Sequence, residues 1–217
     1  MKALALNASP RKTWNTATLL QHALDGAASA GAETELIHLG DLRFRGCVSC
    51  FACKRKGTAL KGACALRDDL TPVLEKAMNC DVLFLGSPVY IGDVTGLLRC
   101  FLERFFFMNL TYNPGPAEFS GRTSGVGCVY TMNVTRERAG LYMPTFDVLD
   151  TFLRRFNWHV ERVFSYDTWQ FEDYSRYEAA RFDVAHKERM RREQFPEDCA
   201  AASGMGERLA AAASARG

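Results

Sequence analysis

The chain has 217 residues, enough for one sizeable hydrophobic core and few for two full domains. Lys and Arg number 27 against 25 Asp and Glu, and the resulting formal charge of +2 excludes the strongly basic surface of a nucleic-acid binder. No apolar run approaches the roughly 18 to 20 residues of a membrane span, and Met1 to Leu6 meets Asn7 before a signal-peptide core can form, so a cytoplasmic protein without a membrane partner is expected.

In chain order, Ala3-Leu4-Ala5-Leu6 reads as a short strand that breaks at Asn7-Ala8-Ser9-Pro10-Arg11. A helical pattern opens at Asn15-Thr16, with apolar positions at Ala17, Leu19, Leu20, Ala23, Leu24, Ala27 and Ala28, and ends near Gly31. The loop between them carries hydroxyls, amides and the cations Arg11 and Lys12. Backbone N–H groups at a helix N-terminus lack intrahelical partners and favour anions, so the loop reads as a phosphate cradle. It has neither the G-x-x-x-x-G-K-[ST] nor the G-x-G-x-x-G spacing, and an ordinary capped strand-to-helix turn is the alternative.

Thr34 to Leu39 is a second strand, closed by Gly40-Asp41. Of eight cysteines, Cys47, Cys50, Cys53 and Cys64 cluster just after it, a pattern that in a reducing compartment points to metal binding or redox chemistry. Cys80, Cys100, Cys128 and Cys199 are scattered and read as buried small hydrophobes. Asp68-Asp69-Leu70-Thr71-Pro72 opens a helix that runs to about Asn79. Val82 to Leu85 is a continuous apolar run, the mark of a central parallel strand. Gly86-Ser87-Pro88-Val89-Tyr90-Ile91-Gly92 follows as a loop at its carboxyl end, and a helix spans about Thr95 to Phe107.

Residues 108–123, with Asn113-Pro114-Gly115-Pro116, form a long irregular connection. Gly125 to Tyr130 is a fourth strand, Leu141 to Phe156 a helix, and His159 to Phe164 a fifth strand. A charged helix is expected from Tyr174 to Gln194 and a mobile Ala/Gly/Ser tail after Cys199. Phe105, Phe106, Phe107 and Met108 read as core or subunit-interface residues, and His22, His38, His159 and His186 as structural or solvated.

Alternating strands and helices argue an α/β fold with a parallel sheet covered on both faces. Ligands in such sheets bind outside the carboxyl ends of the strands, where the loops at Ser9, Gly86 and Thr131-Met132-Asn133 converge. Residues 1–170 read as one ligand-binding domain with the cysteine loop 46–65 inserted, and residues 171–217 as a helix and flexible tail.

Three stretches, Ser9-Pro10-Arg11-Lys12 with Asn15-Thr16, Gly86 to Gly92, and Gly96-Leu97-Leu98-Arg99 through Glu103-Arg104, together resemble the flavodoxin-like NAD(P)H-dependent FMN reductases. The resemblance covers about residues 1–165 and implies a three-layer α/β/α sandwich on a five-stranded parallel sheet. It implies that Ser9, Arg11, Asn15 and Thr16 hold the FMN phosphate, with Thr13 and Trp14 adding contacts. Pro88, Val89, Tyr90, Ile91 and Gly92 would line the isoalloxazine, and Thr131, Met132 and Asn133 would close the pocket.

Cys47-x2-Cys50-x2-Cys53 followed by Cys64 resembles the motif of the iron-sulfur flavoproteins, a branch of this group that carries a 4Fe-4S cluster beside FMN. The ten residues from Lys54 to Ala63, with Lys54, Arg55, Lys56 and Lys61 among them, exceed that motif's usual gap. Free or redox-active thiols and a zinc site stand as the other readings. The resulting expectation is an FMN-dependent oxidoreductase that passes electrons from NAD(P)H to a quinone, free flavin, metal or protein acceptor, as a homodimer or homotetramer. It needs no dedicated general acid or base, because the flavin carries the chemistry. The alternatives are a flavodoxin-like carrier without its own NAD(P)H turnover and a cysteine-based redox or metal sensor.

Overall fold

The computed structural model describes residues 1–60, 62–114, 119 and 121–215. The strands are β1 (Lys2–Asn7), β2 (Glu33–His38), β3 (Val82–Tyr90), β4 (Asp93–Val94), β5 (Gly125–Thr131) and β6 (His159–Ser165). The helices are α1 (Asn15–Ser29), α2 (Leu70–Asn79), α3 (Gly96–Asn109), α4 (Met143–Arg154), α5 (Val184–Arg189) and α6 (Phe195–Ser214). Five strands run parallel in the order β2-β1-β3-β5-β6, and β4 folds back antiparallel on the end of β3.

Side-chain alternation along the strands builds the two halves of the core. Ala3 and Ala5 of β1 pack with Phe84 of β3 against Leu19, Leu20, Ala23 and Met205, so α1 and α6 cover that face. Leu4, Leu6, Leu83 and Leu85 point the other way, into Leu74, Leu98, Phe101, Phe105 and Phe146 of α2, α3 and α4. The small residues of β1 let α1 lie close to the sheet. Gly86 serves the same contact, since a Cβ there would stand 2.5 Å from the Leu20 side chain.

The run read as a loop from Gly86 to Gly92 is largely strand. Gly86, Ser87 and Pro88 pair with Val129, Tyr130 and Thr131 of β5, and Val89 and Tyr90 pair with Val94 and Asp93. Only Ile91 and Gly92 turn, with φ of 53° and 78°, the left-handed conformation of a two-residue hairpin. Gly and Pro suggested a break, yet a strand end tolerates both when the pairing continues.

The C-terminal quarter differs more. In place of one charged helix over 174–194 there is a 3-10 turn, Tyr174–Arg176, then the six residues of α5, then a π-helical turn, Met190–Gln194, leading into α6. The mobile tail expected after Cys199 is instead most of α6, a 20-residue helix. Cys199, Ala202, Met205 and Leu209 are buried at helical spacing. Its small residues are contacts: a Cβ on Gly206 would stand 1.9 Å from the Ala23 carbonyl oxygen, and one on Gly26 1.9 Å from that of Ser203. The two helices therefore cross backbone to backbone, which the composition alone disguises as low complexity. Gly115 and Pro116 of the long connection, Lys61 of the cysteine loop and the last two residues of the tail lie outside the described residues. Among the described residues, no helix is long and apolar enough to cross a membrane.

Candidate functional site

The β1–α1 loop is shaped by its own polar side chains. Ser9 N–H donates to Asn7 Oδ1 at 3.0 Å, and Arg11 N–H donates to Ser9 Oγ at 3.1 Å. Asn7 Nδ2 and His38 Nδ1 stand 3.0 Å apart, which ties the loop to β2. Ser9, Asn15 and Thr16 are buried while Arg11 and Thr13 are exposed. Trp14 takes the cap position of α1 and gives no side-chain cap hydrogen bond, and the first turn holds no acidic residue. Thr95 caps α3 and Asp183 caps α5 with their own oxygens, whereas α2, α4 and α6 share with α1 the lack of a side-chain cap, so what sets α1 apart is the polar loop that leads into it. The N–H groups and dipole at the start of α1 thus meet no competing oxygen from its cap, the condition an anion requires.

The three loops are stitched together. Ala8 N–H donates to Gly86 O at 2.9 Å, and Thr95 Oγ1 donates to Ala8 O at 3.0 Å, joining the first loop to the β3–α3 region. Thr16 and Thr131 hydroxyls meet at 2.8 Å, joining α1 to the end of β5. Pro88, Val89, Tyr90, Ile91 and Gly92 follow Ser87, whose Oγ accepts from Thr95 N–H at 2.9 Å. Met132 is 2% exposed and packs in the core, and its backbone is spoken for within the protein. Its N–H donates to Ser165 O and its carbonyl accepts from Thr168 N–H, at 2.9 and 3.0 Å.

A fourth segment completes this edge. Trp169 O accepts from Trp14 Nε1 at 3.0 Å and from Asn15 Nδ2 at 2.8 Å, and Gln170 O accepts from Arg11. Arg191, on the π-helical turn, donates to Asn15 Oδ1 at 3.0 Å. Lys187 donates to Asn133 and pairs with Asp167. Sequence reasoning passed over these residues, because long-range backbone acceptors carry no local pattern and the charges around Arg191 read as a solvated face.

The cysteine loop lies along α3. Cys47, Cys50, Cys53 and Cys64 line one narrow cavity with Leu66, Arg104, Phe107 and Met108. Ser49 and Phe51 hold left-handed backbone, φ 51° and 54°, which is costly for side chains with a Cβ and turns the chain twice within one short loop. Glu103 accepts from Cys47 N–H at 3.1 Å. Arg104 donates to both oxygens of Asp68 at 2.7 Å and to Leu66 O at 3.0 Å. Adjacent residues of α3 thus hold both ends of the loop. Burial pushes the Cys53 thiol up and the Lys54 ammonium down from their ordinary values. Burial raises the Cys80 and Cys128 thiols to about 12, so these two are inert packing residues. None of the eight cysteines is paired in a disulfide. Among the described residues, no three His, Cys, Asp or Glu side chains are grouped to hold a metal ion.

This strand order is that of the flavodoxin-like doubly wound α/β fold, in which ligands lie at the carboxyl edge beside the switch point between the first and third strands. The family model described as NADPH-dependent FMN reductase matches residues 1–151, and the chain belongs to that family. An iron-sulfur flavoprotein of Archaeoglobus fulgidus is 40% identical over 104 residues, 48% of each chain. Another from the same organism is 31% identical over 143 residues, 66% of this chain and 60% of the relative. The chain thus spans about half the length of the curated relatives it matches first. An NAD(P)H:quinone oxidoreductase from Methanothermobacter marburgensis superposes with a TM-score of 0.68 at 16% identity, covering 96% of both chains. An FMN-dependent NADH-azoreductase from Bacillus anthracis in complex with FMN gives 0.64 at 12% identity, covering 94% of this chain and 99% of the other.

Proposed function

We propose that the protein binds FMN at the edge formed by Ser9, Gly86 and Thr131 and uses it to pass electrons from NAD(P)H to a small-molecule or protein acceptor. The uncapped start of α1 carries this reading, because it supplies free N–H groups and a positive dipole end beside Arg11. Ser9, Arg11, Thr13, Trp14, Asn15 and Thr16 would surround the phosphate, and Pro88 to Gly92 with Thr131 and Asn133 would hold the ring, Met132 bracing that wall from the core. When bound, FMN supplies two-electron acceptance of a hydride and release to an acceptor. The chain's part is to position: the Thr16–Thr131 contact fixes the distance between the phosphate and ring walls, and the β3 hairpin presents Tyr90, about half exposed, as a flat neighbour.

The same reading places a 4Fe-4S cluster on Cys47, Cys50, Cys53 and Cys64. Four thiols facing one cavity match the donor set of such a cluster. They need not stand as close as the ligands of one ion, because each meets a different iron. The relatives named iron-sulfur flavoproteins support it. A cluster beside the flavin would let a two-electron donor serve one-electron acceptors.

Anaerobic purification, a visible spectrum and iron and sulfide assays test the cluster. About four irons and four sulfides per chain are expected, and a preparation with flavin bands alone after reconstitution refutes it. Steady-state oxidation of NADH or NADPH by the FMN-loaded protein tests the enzyme. Absence of turnover across quinones, free flavins and ferric chelates would leave a carrier.

A further inference from the structure

Among the described residues Arg104 is the largest fully buried side chain, 0% exposed within α3. Its guanidinium is held on one side only. Nη1 donates to the two carboxylate oxygens of Asp68, each at 2.7 Å, and reaches Arg45 O at 3.4 Å, while Nη2 donates to Leu66 O at 3.0 Å. Nε is buried and has no hydrogen-bond partner. A charged group rarely leaves an N–H unsatisfied in a protein interior, and such an orphan calls for an acceptor. The same side chain forms part of the wall of the cysteine cavity, beside Cys47, Cys50, Cys53 and Cys64. Carboxylates do not line that cavity, and neutral thiols are weak acceptors. An anionic sulfur, as a cysteine thiolate on iron or a bridging sulfide, is a strong one.

We propose that Arg104 donates its Nε–H to a sulfur of the iron-sulfur centre and thereby sets the centre's reduction potential, an inference that rests on the cluster assigned above to the four cysteines. Asp68 acts as the positioning residue. With Asp68 on Nη1 and Leu66 O on Nη2, the plane of the guanidinium is fixed, and with it the direction of Nε–H. Reduction adds an electron to the cluster and makes its sulfurs better acceptors, so a donor fixed in place stabilises the reduced form more than the oxidised one. The bond therefore raises the potential. No proton is transferred and no bond is broken; the guanidinium keeps its charge throughout.

The test compares the reconstituted wild type with Arg104→Lys, which keeps the cation and the Asp68 partner but has no Nε–H at that position. In an EPR-monitored redox titration, the variant is expected to need a more negative potential. A tenfold fall in the reduced-to-oxidised ratio at a given potential is about 59 mV for one electron. A second measurement is independent of the variant's stability. In wild type carrying guanidino-15N arginine, the reduced cluster should show a 15N coupling and an exchangeable-proton coupling by ENDOR. An unchanged potential in Arg104→Lys, or a wild-type cluster without 15N coupling, overturns the assignment. A wild type that takes up no iron and sulfide overturns instead the cluster reading on which it rests.

Discussion

At the scale of single residues, the loop proposed for the phosphate should distinguish between flavins. Arg11 is exposed, is held by Gln170 O, and lies with its guanidinium 5.4 Å from the Trp14 ring centroid. These contacts keep it at the mouth of the loop, where the proposal has it meet the dianion. Arg11→Ala should weaken FMN binding by about 10- to 100-fold, the worth of a charge-assisted hydrogen bond, and leave riboflavin binding unchanged. Titration of apoprotein by quenching of flavin fluorescence separates the two, and an equal loss for both flavins would remove Arg11 from the phosphate site. Asp198 gives a pH prediction. Burial raises its carboxyl above the ordinary range, even though Ser165 and Gln194 donate to it at 2.6 and 2.9 Å. The folded state then binds this proton more tightly than the unfolded chain. Its contribution to stability is greatest below the unfolded pKa and is lost as pH rises through the folded one. Asp198→Asn should gain stability relative to wild type as pH rises from 3 to neutral, measured by urea unfolding at the two pH values.

Elements show where the sequence was legible and where it was not. The apolar runs at Leu4, Val82 and Val126 and the helical period of α1 are local patterns, so the five parallel strands and their order of helices could be read directly. The hydroxyls and amides of Ser9 to Thr16 were equally visible, since the anion chemistry proposed for that loop rests on residue type. What failed was long-range. Gly206 and Gly26 look like flexibility until the two helices are seen to cross with backbone in contact, and Trp169 contributes through a carbonyl that every residue has. Gly206→Ala tests the first of these. Its Cβ would meet the Ala23 carbonyl oxygen at 1.9 Å, a backbone atom that cannot rotate away. The variant should lose about 3 kcal/mol, the cost of a severe overpacking, visible as a fall in Tm of several degrees. Because α6 continues from the π-helical turn that carries Arg191, FMN affinity should fall with it. A variant with wild-type Tm would mean that α1 and α6 do not cross this closely.

For the whole molecule, the remaining question is what covers the β3–β4 hairpin. Ile91 is fully exposed at 106%, with Tyr90 at 49% and Leu141 at 81%. Gly92 brings these together, because a Cβ there would stand 2.9 Å from the Tyr142 ring, next to Leu141. A β-branched side chain at φ 53° is strained, and exposing it gains nothing for an isolated chain. The formal charge of +2 is too small to hold copies apart. These observations favour a homodimer in which the hairpin tip packs on a second copy, beside the ring wall of the flavin site. Light scattering on the purified protein should then give twice the mass of one chain. Ile91→Asp places a charge where the partner's apolar surface would lie and should shift the equilibrium to monomer by at least about tenfold. It should leave Tm at low protein concentration unchanged, since the side chain touches little of its own chain. A wild type that scatters as a monomer at working concentrations would return the exposed hairpin to the acceptor, as the surface against which an electron-accepting partner docks.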